Sequence, residues 1–282
     1  MSNQLPAIKL QPQTIPFGNL LNVIDLYAGN YQKIDDEVYE LWVNSSQRTK
    51  PPNRRNALRA VIGPSLRHLE LIRGIGNDFK LTGSGKRILE AFKREGEGGL
   101  KKELAIHLIR IDKEKWFDLL GKLQNANGQL SINELCRDSK ENLLSPNIEE
   151  GNLRKYVRFF EYCGLVSSKN NLIIIHEKQV DAARLNSFPA PSANEFIGFL
   201  VQAYNSLKQP SRGYYVSIPD LRDSVCAQTG LFPDDFDKLL TGLPLEGTNY
   251  TLQYGQPMDR HSGGIVIGNI YMYYLAIYPG RS

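Results

Sequence analysis

The chain has 282 residues, 41% of them hydrophobic and 23% charged, with a formal net charge of +4 and a pI near 8.8. These values sit close to globular averages and exclude a collagen-like or charge-dominated disordered chain, and no segment approaches the run of about 18 apolar residues that a membrane helix needs. At roughly 100 to 200 residues per domain the length accommodates two or three domains. Met1 to Pro16 lacks the basic flank and apolar run of a secretory signal, so a cytoplasmic protein without a membrane partner is expected. Cys136, Cys163 and Cys226 lie far apart with no CxxC pair, which favours free thiols over a disulfide framework or a zinc knuckle. No cofactor is expected.

The first elements read as helices. Phe17, Leu20, Leu21, Val23, Ile24 and Leu26 recur at helical spacing, and the chain then passes Asp35–Trp42 into a turn at Pro51-Pro52. From Asn53 to Gly74, Leu58, Val61, Ile62, Leu66, Leu69 and Ile72 step by three and four, with Gly63-Pro64 predicted to kink or split the helix. A short extended piece, Asp78–Thr82, leads into a helix from Gly85 to Phe92.

In the middle of the chain one amphipathic helix is predicted over Lys113–Leu123, stopped by Asn125-Ala-Asn-Gly128. Ser131-Ile-Asn-Glu134 reads as a capping box opening the next helix. A longer helix runs from about Glu149 to Tyr162 with Leu153, Val157 and Phe160 inward, and Leu165–Ile175 alternates strand, polar turn and strand as a hairpin does. The last third repeats this order. Helices are predicted at Asn194–Leu207, Pro219–Thr229 and Pro233–Leu243, with strands at Tyr214–Val216, Tyr250–Tyr254 and Gly264–Ile277. The Gly- and Lys-rich stretch Arg94–Lys102 and the Pro/Ser stretch Asn186–Ala193 mark boundaries, giving domains 1–98, 99–187 and 188–282.

Two segments carry a family likeness. Leu66-Arg-His-Leu69-Glu-Leu-Ile72-Arg-Gly followed by Phe79-Lys-Leu-Thr82-Gly-Ser-Gly85, and Phe159-Phe-Glu-Tyr-Cys-Gly164-Leu-Val166 followed by an Ile-rich strand, resemble the ends of winged-helix domains of the MarR and ArsR kind. The resemblance implies a three-helix core whose last helix enters the DNA major groove, with a hairpin wing on an adjacent groove or phosphate. It makes the expected fold α+β, mainly α, as three consecutive winged-helix units with short β-hairpin wings. The tandem arrangement is also similar to the recognition parts of type IIS restriction enzymes and to accessory subunits of defence systems.

Candidate contact residues follow from charge. On the helix at Glu149–Tyr162 the face opposite the apolar one would present Asn152, Lys155, Arg158 and Phe159, and the wing would add Lys169, Asn170 and Asn171. Lys and Arg neutralise phosphates, Arg grips guanine through two bonds and Asn does the same for adenine. A solvated helix face is the alternative. In the first third, Arg48, Lys50, Asn53, Arg54, Arg55 and Arg59 surround a helix N-terminus, whose amides favour phosphate, with a charged surface loop as the alternative. The helix at Pro233–Leu240 carries three aspartates that would repel phosphate, and Tyr271, Tyr273, Tyr274 and Tyr278 fit core or a protein contact.

Catalytic motifs are missing. Gly83-Ser-Gly-Lys86 fails as a phosphate loop because Lys80 stands where the first glycine belongs and Arg87 follows the lysine. Glu177 and Lys178 are adjacent, on opposite strand faces, which does not make a nuclease site with His176. His68, His107, His176 and His261 show no metal-ligand spacing. The expectation is therefore a non-enzymatic protein that binds double-stranded DNA through its first two units, as an accessory or regulatory subunit of a bacterial defence, restriction or DNA-transaction system. Its C-terminal domain would engage a protein partner or another copy. Two alternatives stand beside it: an adaptor scaffold contacting a partner ATPase or nuclease, and a transcriptional repressor.

Overall fold

Phe17, Leu20, Leu21 and Ile24 all become buried on one face of α1 (Phe17–Leu26), as their spacing predicts. In this computed structural model residues 10, 12, 15–45, 57–74, 78–115, 118–141, 150–185, 191–208, 214–231, 233–257 and 263–280 are described. The chain is mixed α and β, mainly helical, with small antiparallel sheets, and it divides into two units, Met1–Ser187 and Phe188–Ser282. Among the described residues no helix is long and apolar enough to cross a membrane.

In the first unit α2 (Tyr31–Ser45) precedes a π-helical turn (Ala57–Ile62) that runs straight into α3 (Gly63–His68). The expected disturbance at Gly63-Pro64 takes this form: the wider turn accommodates a proline that has no N–H to donate, and Leu58's carbonyl sits where a Cβ on residue 63 would go. After α3, Glu70 turns left-handed, and Leu71 N–H closes onto the Leu66 carbonyl at 2.9 Å. The chain then makes a minimal hairpin from β1 (Ile72–Arg73) and β2 (Lys80–Leu81).

The Leu-Thr-x-x-Gly phrase acquires a physical reason here. Thr82 caps α4 (Gly83–Lys115), its hydroxyl accepting from the Gly85 amide at 3.1 Å and donating to the Glu70 carbonyl at 2.6 Å. Gly85 packs directly on the Leu71 carbonyl, leaving no room for a side chain. The boundary read at 98/99 lies inside α4, just beyond a break at Gly96, whose φ of 66° and ψ of −149° are open to glycine alone. Across that break Arg87 pairs with Glu103 at 3.0 Å.

One predicted helix is two. α4 ends at Lys115, and α5 (Leu119–Asn125) starts after Asp118, whose φ of 50° stops a continuous run over Lys113–Leu123. β3 (Gln129–Ser131) then leads into α6 (Ile132–Glu141). The capping box forms: Ser131 N–H donates to Glu134 Oε2 at 2.8 Å and Glu134 N–H to Ser131 Oγ at 3.2 Å. α7 (Glu150–Tyr162) buries Leu153, Val157 and Phe160. Gly164 turns left-handed, Leu165 N–H bonds the Phe160 carbonyl at 2.9 Å, and β4 (Val166–Lys169) and β5 (Leu172–Ile175) form the hairpin before α8 (Glu177–Leu185). β5 also takes β3, so the sheet order is β3-β5-β4.

The ends of α3 and α7 follow one plan. Each passes a left-handed residue to a leucine that bonds five residues back, and after the hairpin the next helix starts from a residue whose N–H bonds that same leucine: Thr82 to Leu71 and His176 to Leu165.

The second unit repeats the middle order. α9 (Ala193–Leu207) opens on a capping box between Ser192 and Glu195, β6 (Val216–Ser217) follows, and α10 (Ile218–Thr229) and α11 (Pro233–Gly242) pack Leu221, Val225, Phe236 and Leu240 against Phe196 and Leu200. Then come β7 (Glu246–Gly247), β8 (Tyr250–Gly255), β9 (Ile265–Ile267), β10 (Ile270–Met272) and β11 (Tyr274–Pro279). The single strand expected over Gly264–Ile277 is thus three, because Gly268-Asn269 folds β9 and β10 into a hairpin. β6 pairs with β11 and β11 with β8, so the first strand lies beside the last as β3 lies beside β5.

The two glycines near the α4 break should respond oppositely to alanine. Gly96→Ala is expected to cost about 1 to 3 kcal/mol through backbone strain, while Gly98→Ala, at a helical position with open space, should stabilise by up to about 1 kcal/mol. Urea denaturation of both variants checks this, and equal effects would show that residue 96 does not need glycine.

Candidate nucleic-acid interface

α7 and the β4–β5 turn hold the best-defined part of the candidate interface. Asn170 and Asn171 both take positive φ, the conformation that a tight two-residue hairpin turn requires and that asparagine tolerates. Arg154 reaches across from α7: its Nη2 donates to Asn171 Oδ1 at 2.9 Å, and Nε and Nη2 grip Glu150 Oε1 at 2.8 and 2.5 Å. Helix and turn are therefore fixed relative to one another. Arg158 is exposed one turn further along α7, and Lys169 is exposed beside the turn.

The face that sequence reasoning assigned to DNA is narrower than expected. Phe159 is 0% exposed, its ring edge-on to Phe17 of α1 with centroids 6.1 Å apart, and Tyr162 packs on the same Phe17 at 6.4 Å. Tyr162 also donates to Glu97, with Lys101 4.7 Å over its ring. A helix of this unit needs a second apolar stripe because α1 and α4 cover it from behind, and that stripe takes Phe159 out of the exposed set. Lys155 is half-buried, and Asn152 belongs to α7 with its side chain outside the described residues. The remaining edge, Glu150, Arg154, Arg158 and Glu161, mixes acid and base, and Glu161 accepts the Ser168 hydroxyl.

Arg48, Lys50, Asn53, Arg54 and Arg55 lie outside the described residues. Arg59 is exposed on the π-helical turn, where its charge and that of Arg67 act on the Tyr31 phenol. Sequence reasoning did not find the Glu150–Arg154–Asn171 link; the i, i+4 spacing of Glu150 and Arg154 was the available signal for its first half.

Other side chains are engaged structurally. His176 Nδ1 lies 2.9 Å from the Gly164 carbonyl and Nε2 3.1 Å from Ser167 Oγ, so it holds the hairpin base beside a shallow depression lined by Asn127, Gln129, Glu177 and Lys178. Burial pushes the Cys163 thiol up, away from the range of a reactive thiolate. Among the described residues no group of three His, Cys, Asp or Glu side chains could hold a metal ion. No known protein family, curated protein or solved structure matches the chain.

Charge is unevenly distributed between the units. Lys and Arg outnumber Asp and Glu by 28 to 22 before residue 188, and acids lead by 8 to 6 after it. Nine of the 14 tyrosines fall in the second unit. By register, Ser217, Tyr274 and Gly255 share one face of the four-stranded sheet with Thr251, Tyr278 and Glu246, opposite the core face of Leu252 and Leu275. Tyr214, 59% exposed, stacks against Tyr278 at 6.0 Å and takes Lys208 over its ring at 4.6 Å. Tyr271 instead supports the second hairpin, its hydroxyl accepting the Gly264 amide at 2.7 Å.

Phe159→Ala should destabilise the protein by about 3 to 5 kcal/mol, as a buried aromatic truncation does. A change under about 0.5 kcal/mol, the ordinary surface value, in thermal or urea unfolding would return Phe159 to the exposed face.

Proposed function

We propose that the chain is a non-catalytic nucleic-acid-binding protein made of winged-helix units, and that it contacts double-stranded DNA through the wing side of α7. The observation that carries this reading is the Arg154 link between α7 and the Asn170-Asn171 turn, because it ties the helix that bears the exposed Arg158 to the turn beside the exposed Lys169 in the basic unit. The helix–strand–helix–helix–strand–strand order of 119–175, with the first strand beside the last, supports the winged-helix assignment there, and 193–279 opens with the same helix–strand–helix–helix run before five strands, again with the first strand beside the last. The shared plan at the ends of α3 and α7 supports a third, reduced unit near the N-terminus.

Burial of Phe159 alters the expected mode of contact. With that flank of α7 covered, the helix offers an edge and the turn offers the tip, which favours phosphate contact over deep insertion and base reading. Such binding depends on counterion release and weakens steeply with salt. An accessory or regulatory role in a DNA transaction fits a protein that holds DNA without altering it.

The second unit favours a different partner. Its acidic balance, the exposed Tyr214 and Tyr215 and the exposed Val266 and Ile270 on the β9–β10 hairpin fit contact with protein, as in an adaptor.

Fluorescence anisotropy with duplex DNA across a salt series tests the proposal. The native protein should bind with an affinity that falls steeply with salt and depends little on sequence. Arg158→Glu/Lys169→Glu should weaken binding at least about tenfold, since each lost phosphate contact removes part of the salt-dependent term. Absence of binding at low salt would overturn this reading in favour of the adaptor.

A further inference from the structure

Asp112 is the most deeply buried acid in the described first unit, 1% exposed at the end of α4. Its carboxyl gathers three elements. Oδ2 accepts the Leu120 amide at 3.1 Å, the Leu119 amide also bonds the carboxyl, and Oδ1 accepts the hydroxyl of Tyr156. Tyr156 is itself buried on α7, edge-on to Phe160 at 5.0 Å. The backbone reverses around this point: Asp118 N–H donates to the Asp112 carbonyl at 3.1 Å, and Asp118 stands in the left-handed region. Among the described residues the titratable groups bearing on Asp112 are Tyr156 from α7 and Asp118 from the turn before α5.

We propose that Asp112 is a proton-operated latch on α7, holding the junction of α4, α5 and α7 more tightly with its proton on than off. The physical basis is that the carboxyl accepts from three donors and, among the described residues, no cation bears on it. Burial opposes its charge, the neighbouring Asp118 adds to that, and the three donors offset only part of it. The balance leaves the carboxyl raised from 3.8 to about 6. With the proton on, Oδ2 keeps the Leu120 amide and the Oδ1 hydroxyl shares its hydrogen with the Tyr156 oxygen.

The sign follows from linkage. The folded form holds the proton more firmly than the unfolded chain, so this contribution is fully present below the unfolded value near 4 and is lost as pH rises through about 6. The inference stands apart from the DNA reading, since its readout is the stability of the junction.

Both tryptophans, Trp42 and Trp116, precede residue 188, so their fluorescence follows the first unit in the full chain. Urea unfolding of the native protein and Asp112→Asn would be compared at pH 5 and pH 8. Between those values the native unfolding constant should rise roughly tenfold more than that of the variant, because pH 5 lies about one unit below the folded value and still above the unfolded one. A ratio unchanged within about threefold overturns the latch. Should Asp112→Asn fail to fold, Tyr156→Phe serves instead: removing a donor to the charged form must move the native pH dependence to higher pH, and a shift to lower pH or none at all overturns the proposal.

Discussion

Burial of α7 on two sides is the constraint on which the rest of the first unit depends. Leu153, Val157 and Phe160 bind it to its own three-stranded layer, while Phe159 and Tyr162 bind it to Phe17 of α1 and to Glu97 and Lys101 of α4. Edge-to-face ring pairs add about 0.5 to 1.5 kcal/mol each beyond the area they bury. A helix held in this way cannot be lifted out to meet a ligand without breaking the core. The polar edge of α7 that this packing leaves over is tied through Arg154 to the Asn170-Asn171 turn.

The same packing explains the polar groups found inside. Bending α4 at Gly96 lets its two halves face α1 on one side and α5, α7 and α8 on the other, and polar side chains meet at the bend. Arg87 and Glu103 pair there with side chains 10% and 14% exposed, and His107 Nε2 lies 2.6 Å from the Leu69 carbonyl. Such contacts add little net stability, but removing one partner leaves a desolvated group behind, so they restrict the ways the helices can pack. Asp112 belongs to this set, its carboxyl held by backbone amides and the Tyr156 hydroxyl.

Much of the local structure was legible because it rests on neighbours in sequence. The face of α1, the Ser131 capping box, Pro219 and Pro233 in their first turns, and the Asn170-Asn171 turn each follow from a few adjacent residues. What was not legible depends on distant partners. Phe159 looks like part of a polar face until Phe17, far away in sequence, is known to cover it. The Lys113–Leu123 pattern remains amphipathic across a chain reversal, because Asp118 turns left-handed beside a buried carboxyl that periodicity does not report. The Gly-Asn pair at 268 and 269 is a local hairpin signal inside an otherwise continuous strand-like stretch.

The aspartates of the second unit show how one residue type serves both a helix terminus and a long-range tie. Asp234 and Asp235 occupy the first turn of α11, where the helix dipole favours negative charge, and Asp237 pairs with Arg222 at 2.7 Å. Arg222 in turn donates to the Gly263 carbonyl at 2.7 Å, holding the start of the second hairpin. A further acid of α11, Asp237, thus neutralises the base that holds the second hairpin, and the exposed charge on this helix is Lys238. With these acids engaged within the fold, the large apolar side chains left exposed among the described residues of this unit are Tyr214, Tyr215, Leu245, Val266 and Ile270.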